Sequence, residues 1–380
     1  MNRRTFIALG AAGASSVAFG ATTHAGASTS GAKQYGSKQY RRAIVIDALG
    51  SIGDPDPAAT ETSAPSERLL RDLRASGVTA VSQTLSVGST GDRMTKAIRK
   101  IAIFDEKIAA APDVLMRIRK AHDLQVAKQT ERVGVIYNLQ DSSLLENDLS
   151  RVTTLQELGV RVVQMTYNTR NLVGDGCLER GDAGLSNLGR DLVAELNRTR
   201  VVMDLSHGGK RTIAEAIAHA RAPPAITHTG CRDLMDHPRN VFDTELRALA
   251  AKGGVAGIYS MPFLVPRGAA RKDDLIRHIE HAVNVCGEDH VGLGTDGLIS
   301  AVEMNDEYRE GMRREYESRV AQGIAAPGES PDAHQFVPDY NEPARFLRLA
   351  EDLSRRGWPE GRIEKLLGAN FARLFGEVWG

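Results

Sequence analysis

The sequence predicts an α/β fold, eight parallel strands closing into a TIM-type (β/α)8 barrel with added helices. Three observations carry that prediction. Short β-branched runs alternate with amphipathic segments along almost the whole chain, the pattern of strand–helix units in a parallel sheet. The strand candidates number eight, the count that closes such a barrel. Three of them deliver a His or Asp at the carboxyl end: Val201-Val202-Met203-Asp204-Leu205-Ser206-His207, Ala225-Ile226-Thr227-His228 and Val291-Gly292-Leu293-Gly294-Thr295-Asp296. A barrel of this class assembles its chemistry at that rim, from segments far apart in sequence.

In chain order, residues 1–27 read as an export address. Asn2-Arg3-Arg4-Thr5-Phe6-Ile7 sets paired arginines before an apolar Gly/Ala-rich stretch, and Ala25-Gly26-Ala27 offers a small-x-small cleavage site. This resembles a twin-arginine signal, which implies the twin-arginine export machinery as a partner and a periplasmic or secreted mature protein. Residues 28–39 are polar and Gly/Ser/Ala-rich and read as a flexible leader, with one barrel domain over 40–380. Strands are expected at 43–47, 78–83, 133–139, 160–166, 200–206, 224–228, 254–259 and 290–294. Apolar residues at three- and four-residue spacing predict covering helices over 69–75, 96–129, 187–197, 209–220, 244–251 and 273–286. Ser186 or Asn187 would cap the helix at 187, and Asp243 or Thr244 the helix at 244. The stretch 96–132 holds more helix than one crossover needs and predicts an added helical layer. Residues 300–340 are charged, contain Pro327, Pro331 and Pro338, and are too long for an ordinary connection, so they read as a lid or dimer-contact loop. Helices at 343–356, ended by Gly357, and at 360–375 close the chain.

The 48 basic residues are matched by 48 acidic ones. That balance argues against a nucleic-acid or membrane-surface partner and for a small substrate. Residues 1–27 hold Arg3 and Arg4 and no acid, so their removal would take the net charge from 0 to −2. No later segment reads as a membrane span. Cys177, Cys231 and Cys286 are too far apart for a zinc ribbon or a CxxC pair and read as three buried thiols.

The chemistry concentrates in a few residues. His207 precedes Gly208-Gly209, which frees the chain to turn sharply and leaves the imidazole at the barrel mouth. His228 stands at the same level on the next strand. One such histidine would read as a polar strand end, whereas two on adjacent strands read as a zinc pair. Asp296 is a helix cap on spacing alone; beside two histidines it becomes a general base next to an activated water. Arg239 and Asn240, in His237-Pro238-Arg239-Asn240, fall at the same rim, where a guanidinium can hold a carboxylate through two hydrogen bonds. His219, His278, His281, His290 and His334 read as surface or packing residues.

Six ordered blocks are similar to the membrane (renal) dipeptidase family of metallopeptidases. They are Leu158-Gly159-Val160-Arg161, Asp204-Leu205-Ser206-His207, Ile226-Thr227-His228, His237-Pro238-Arg239-Asn240, Val291-Gly292-Leu293-Gly294-Thr295-Asp296-Gly297 and Leu367-Gly368-Ala369-Asn370-Phe371. The resemblance implies a barrel with two zinc ions bridged by a glutamate, hydrolysing dipeptides through metal-bound hydroxide, and a homodimer as the family's expectation. On it, His207 and His228 match two zinc ligands, Asp296 the acid/base, and Arg239 the residue that holds the substrate carboxylate.

Three positions depart from that pattern. The first strand should end Asp-Gly-His-Asn-Asp and reads Asp47-Ala48-Leu49-Gly50-Ser51, so Leu49 and Ser51 stand where two ligands of the other zinc belong. Gln140, in Leu139-Gln140-Asp141-Ser142, replaces the bridging glutamate; its amide is neutral and coordinates weakly. A one-residue shift would bring Asp141 there, against the strand alternation. Thr166-Tyr167-Asn168 stands for Thr-His-Asn, which puts Tyr167 at the substrate-facing position. One metal site is thereby removed and the other weakened. The expectation is an exported hydrolase of dipeptides or related small amides. It would hold one divalent ion, zinc, on His207 and His228, with Gln140, Asp141 or Asp296 completing the ligands. Asp296 would move the proton, while Arg239, Asn240 and Tyr167 contact a small peptide-like substrate. The alternative is a metal-free protein that keeps the barrel for binding or for maturing a peptide-like product.

Overall fold

Nine short strands organise the described residues: β1 (Ile46–Gly50), β2 (Ala80–Ser86), β3 (Leu115–Arg117), β4 (Val133–Leu139), β5 (Val160–Gln164), β6 (Val202–Asp204), β7 (Ala225–Thr229), β8 (Val255–Ile258) and β9 (Val291–Leu293). This computed structural model describes residues 34–86 and 91–380, so the expected export address at 1–27 lies outside the described residues. Every pairing is parallel and the strand order is β1-β2-β4-β5-β6-β7-β8-β9. The seam between β9 and β1 closes just beyond the strand ends, where Asp296 N donates to Leu49 O at 2.8 Å and Ser51 N to Gly297 O at 2.9 Å. The TIM-type barrel is therefore present. β3 is an addition the sequence reading lacks, pairing with the first residues of β4 before β5 begins.

The helices are α1 (Ser37–Tyr40), α2 (Glu67–Ser76), α3 (Arg93–Ala110), α4 (His122–Gln129), α5 (Ser150–Glu157), α6 (Asn187–Thr199), α7 (Lys210–His219), α8 (Asp243–Ala251), α9 (Lys272–Cys286), α10 (Asp306–Ala321), α11 (Arg345–Arg355), α12 (Glu360–Glu364) and α13 (Asn370–Trp379). Several expectations are corrected. The continuous helix expected over 96–129 is α3, then β3, then α4, because Pro112 cannot extend a helix. Of the leader expected over 28–39, residues 28–33 lie outside the described residues, while Tyr35 is buried and donates its backbone N–H to Ser354 Oγ. β1 begins three residues later than expected, in register with β2. Asn187 is the first residue of α6, and Ser186 caps it through Gly189 N at 3.0 Å. At α8 neither Asp243 nor Thr244 caps; Glu245 accepts the Phe242 N–H instead. The three cysteines are free, but only Cys231 is fully buried. The closing helix expected over 360–375 is α12 and α13 with a kink at Gly368, where a Cβ would lie 2.6 Å from Ile44 O.

The segment expected to be a loop at 300–340 contains α10. Its helix lacks an apolar face, with Met312 alone buried. Local chemistry supports it instead: Asn305 caps it through Tyr308 N at 2.8 Å, acids open it, and Arg313 and Arg314 reach back to Glu310.

Side chains alternate across each strand. Ile46, Ala80, Ile136, Val162, Val202, Ala225 and Val255 form one fully buried apolar layer inside the barrel, joined by Phe371, Phe375 and Trp379 of α13. α13 lies against β1, β6, β8 and β9, so it closes the amino-terminal end of the barrel. Two residues further along the strands the interior turns polar, with Ser82, Asn138, Gln164, Asp204 and Thr227 all buried. Gly257 and Gly294 complete this layer; a Cβ on either would lie about 2 Å from the Thr227 carbonyl oxygen (2.1 and 2.0 Å). The barrel interior is thus apolar below and polar towards the carboxyl-terminal rim. Among the described residues no helix is long and apolar enough to cross a membrane.

Candidate active site

The polar layer fixes the rim residues above it. Asp204, fully buried at the end of β6, accepts hydrogen bonds from Ser206 N and Oγ and from Thr227 N and Oγ1, at 2.6–3.0 Å. These bonds tie β6 to β7 just before His207 and His228. Asp47 does the same across the seam, accepting from Thr295 N at 2.8 Å and Thr295 Oγ1 at 2.6 Å, one residue before Asp296. His207 and Asp296 then leave their strands at φ 63° and φ 57°, left-handed conformations that side chains other than glycine adopt at a cost of order 1 kcal/mol. The anchors below hold them there.

His207 and His228 face each other, with Nε2 atoms 2.9 Å apart. Their remaining nitrogens define the tautomers. Asn168 Nδ2 donates to Ile324 O at 2.7 Å, so its Oδ1 faces His207 Nδ1 at 2.6 Å and requires a proton on that nitrogen. Thr227 Oγ1 gives its hydrogen to Asp204, so it accepts from His228 Nδ1 at 2.9 Å. Both Nε2 lone pairs therefore converge on one point. Burial, reinforced by the nearby Arg239, holds both imidazoles well below the usual histidine range, so they are neutral. Two neutral nitrogens in this arrangement repel unless a cation lies between them or a neighbour donates. Gln140 Nε2 approaches His228 Nε2 at 3.5 Å, and Gln140 Oε1 accepts from Thr84 Oγ1 at 3.0 Å.

The donor set fits one divalent ion on two imidazoles and does not fit two zinc ions. Among the described residues no group of three His, Cys, Asp or Glu is placed to hold a metal. Leu49 is fully buried in the core, Ser51 is stitched into the seam, and Asp141 turns away to Asn171 Nδ2 at 2.8 Å. Gln140 rather than Asp141 occupies the position beside the histidines.

Gln140, Tyr167, His207, Arg239 and Asp296 line one cavity of about 450 Å³, with His228 fully buried directly behind His207. Burial pushes the Asp296 carboxyl up to about 6, against the opposing pull of Arg239 and Arg319. Its carboxylate has no hydrogen-bond partner among the described residues. Arg239 is 3% exposed and, among the described residues, forms no ion pair and leaves its Nη2 buried without a partner. A buried guanidinium in that condition is costly unless an anion joins it. Asn240 lies outside the cavity lining: its amide donates to Met235 O and Phe263 O, each at 2.9 Å, and accepts from Tyr259 OH. It builds the loop that carries Arg239.

Arg319 and Glu329 are among the cavity residues not singled out in the sequence. Arg319, at the end of α10, donates to Tyr167 OH at 3.0 Å and pairs with Glu329 through two contacts of 2.7 Å. No local pattern marks them: Arg319 is one of many charges on α10, and Glu329 follows it in a loop. Both come from the 300–340 segment, which forms one wall of the cavity and also contributes Tyr316 and Gln335.

Comparison with known proteins agrees with this architecture. Residues 54–307 match the profile of the membrane dipeptidase family, peptidase family M19. A Klebsiella pneumoniae protein described as uncharacterized, in the pqqA 5' region, is 25% identical over 300 residues, 76% of this chain and 98% of that one. Dipeptidase verJ of Clonostachys rogersoniana is 27% identical over 289 residues, 76% of this chain and 66% of that one. Among solved structures, an amidohydrolase from Pseudomonas aeruginosa aligns with a TM-score of 0.74 at 31% identity, over 90% of this chain and 98% of that one. A metallo peptidase from Rhodobacter sphaeroides, liganded with a phosphinate mimic of the dipeptide L-Ala-D-Ala, shares the fold with a TM-score of 0.70 at 19% identity, over 89% of this chain and all of that one (100%). The chain belongs to the membrane dipeptidase family.

Proposed function

We propose that the protein is an exported hydrolase of dipeptides or related small amides that carry a free carboxylate. The observation that carries this reading is the buried Arg239 guanidinium, its Nη2 without a partner among the described residues, sharing one cavity with Asp296 and His207. Arg239 would bind the substrate carboxylate through charge-assisted hydrogen bonds, fixing the amide beside Asp296. His207 and His228 would hold a single divalent ion, zinc in the family's usual chemistry, and Asp204, Thr227 and Asn168 keep their Nε2 lone pairs aimed at it. When bound, that ion supplies Lewis-acid polarisation of the carbonyl and of water. Asp296 takes one proton from the attacking water as its oxygen bonds to the carbonyl carbon. It returns that proton to the amide nitrogen as the C–N bond breaks, yielding a carboxylic acid and an amine.

Export rests on Arg3, Arg4 and the apolar stretch after them, and cell fractionation tests it. The enzymatic reading is tested by loading pure mature protein with zinc, cobalt or manganese and following release of free amino acids from a dipeptide panel. Cleavage is expected; silence across the panel, with a two-zinc relative active in parallel, rejects it. A metal-free role in binding or peptide maturation is favoured by one feature, the Gln140 amide nitrogen turned towards His228. Stoichiometric metal in protein purified without chelators would exclude that role.

A further inference from the structure

We propose that Tyr167 is a catalytic hydrogen-bond donor to the carbonyl oxygen of the scissile amide, and that Arg319 and Glu329 are the residues that position it. This deepens the hydrolase reading and rests on it. The argument begins with hydrogen-bond bookkeeping at one phenol. Tyr167 OH lies in the cavity, and the one hydrogen bond it makes among the described residues is from Arg319 Nη1 at 3.0 Å. A guanidinium only donates, so the phenol oxygen is the acceptor and its own hydrogen remains free. That hydrogen belongs to a cavity that also presents Asp296 and Arg239.

The ring cannot turn away easily. It stacks on His207 with centroids 4.2 Å apart and planes inclined by 24°. Arg319 is held in turn by Glu329, through the two 2.7 Å contacts, and reaches Ile324 O at 3.4 Å. Ile324 O is also the acceptor that orients Asn168, and His237 Nε2 lies 2.7 Å from Pro327 O. Three bonds thus fasten residues 319–329 across the mouth. The segment reaches both neighbours of His207, Tyr167 above the ring and Asn168 behind it.

A cationic donor on the phenol oxygen polarises the O–H bond and strengthens it as a donor. Such a group acts where charge develops. As water adds, the carbonyl oxygen becomes an oxyanion, and a preorganised neutral donor stabilises that state more than the planar amide. A phenol also carries no charge of its own to be neutralised, so Arg239 remains free for the carboxylate. The 300–340 segment is therefore part of the reacting site, supplying the residues that aim Tyr167.

The test compares wild type with Tyr167→Phe, Arg319→Gln, Arg319→Lys and, as a control on the same helix, the exposed Arg314→Gln. Tyr167→Phe keeps the ring stack and should lower kcat on the cleaved dipeptide about 100-fold, with KM changed less than threefold. Arg319→Gln should lower kcat about tenfold, Arg319→Lys should recover part of that loss, and Arg314→Gln should match wild type. A Tyr167→Phe kcat within threefold of wild type overturns the catalytic role. A crystal structure of Arg319→Gln needs no substrate: Tyr167 is expected to leave its stack on His207, and an unmoved ring overturns the positioning role. If wild type cleaves no dipeptide, the hydrolase reading fails on its own. The donor is then read by calorimetry with a phosphinate analogue of Ala-Ala, expected to bind Tyr167→Phe about tenfold more weakly. Equal affinities, or no binding to wild type, overturn the proposal.

Discussion

The two halves of the barrel mouth have diverged. On the β6–β9 side, Asn168 and Thr227 accept from the Nδ1 atoms of His207 and His228, while Asp204 and Asp47 accept from Thr227 and Thr295 and so brace the strand ends that carry His228 and Asp296. On the β1–β4 side the corresponding ends present Leu49, Ser51 and Gln140, with the first packed in the core and the second paired across the seam. Strand pairing is parallel in both halves, with register shifts at β1–β2, β2–β4, β4–β5 and β7–β8. A barrel therefore keeps its geometry whether or not its rim carries ligands, because strand pairing and the apolar layer below decide the fold while the rim decides the chemistry.

This contrast can be broken most sharply at Asp296. Asp296→Asn should reduce kcat by roughly 10²–10⁴-fold in steady-state hydrolysis, since it removes the proton carrier; retention of more than a tenth of the activity would move the chemistry to the other half. Next in size is Arg239→Gln. Loss of a charge-assisted bond of about 1.5–3 kcal/mol predicts a KM raised roughly 10- to 150-fold for dipeptides with a free carboxyl. An amidated dipeptide should be insensitive to the change, and equal effects on both substrates would exclude Arg239 as the carboxylate anchor.

The pH profile comes third. Burial raises Asp296 from 3.8 to about 6. Its base form is lost below that value, so kcat/KM should fall about tenfold per unit as pH drops through and below 6. Stability runs the other way. Between pH 4 and about 6 the folded protein keeps a proton on Asp296 that the unfolded chain has released, so this group contributes less stability as pH rises through that window. Asp296→Asn should abolish both slopes, and a wild-type profile flat down to pH 4.5 would contradict the assignment.

The smallest effect sharpens the comparison rather than breaking it. Leu49→His, Ser51→Asp and Gln140→Glu together should raise bound zinc from about one to about two ions per chain, read by elemental analysis. An unchanged count would mean that the β1–β4 half differs in backbone position and not only in its ligands.

Much of this organisation was legible in the residues, and the omissions have physical causes. The eight barrel strands were visible because parallel strands buried on both faces are continuous apolar runs. β3 was hidden inside a helical pattern of only three residues' disagreement, although Pro112 marked the break. α10 was hidden because its stability comes from Asn305, end charges and Glu310–Arg314 pairing, signals that apolar periodicity does not register. At the site, the strand-end residues could be read from position alone. Arg319 and Glu329 could not, because they lie about 150 residues from Tyr167, and only folding brings them to it.

Local apolar runs were enough to specify the barrel, and residue type at strand ends was enough to specify which side chains stand at its carboxyl-terminal rim. Only folding set which nitrogens of His207 and His228 carry protons, left Arg239 Nη2 without a partner among the described residues, and brought a charged helix onto Tyr167. Those depend on which hydrogen-bond donors and acceptors meet across the barrel mouth, and hydrogen bonds over a few ångströms are set by packing rather than by neighbours in the chain.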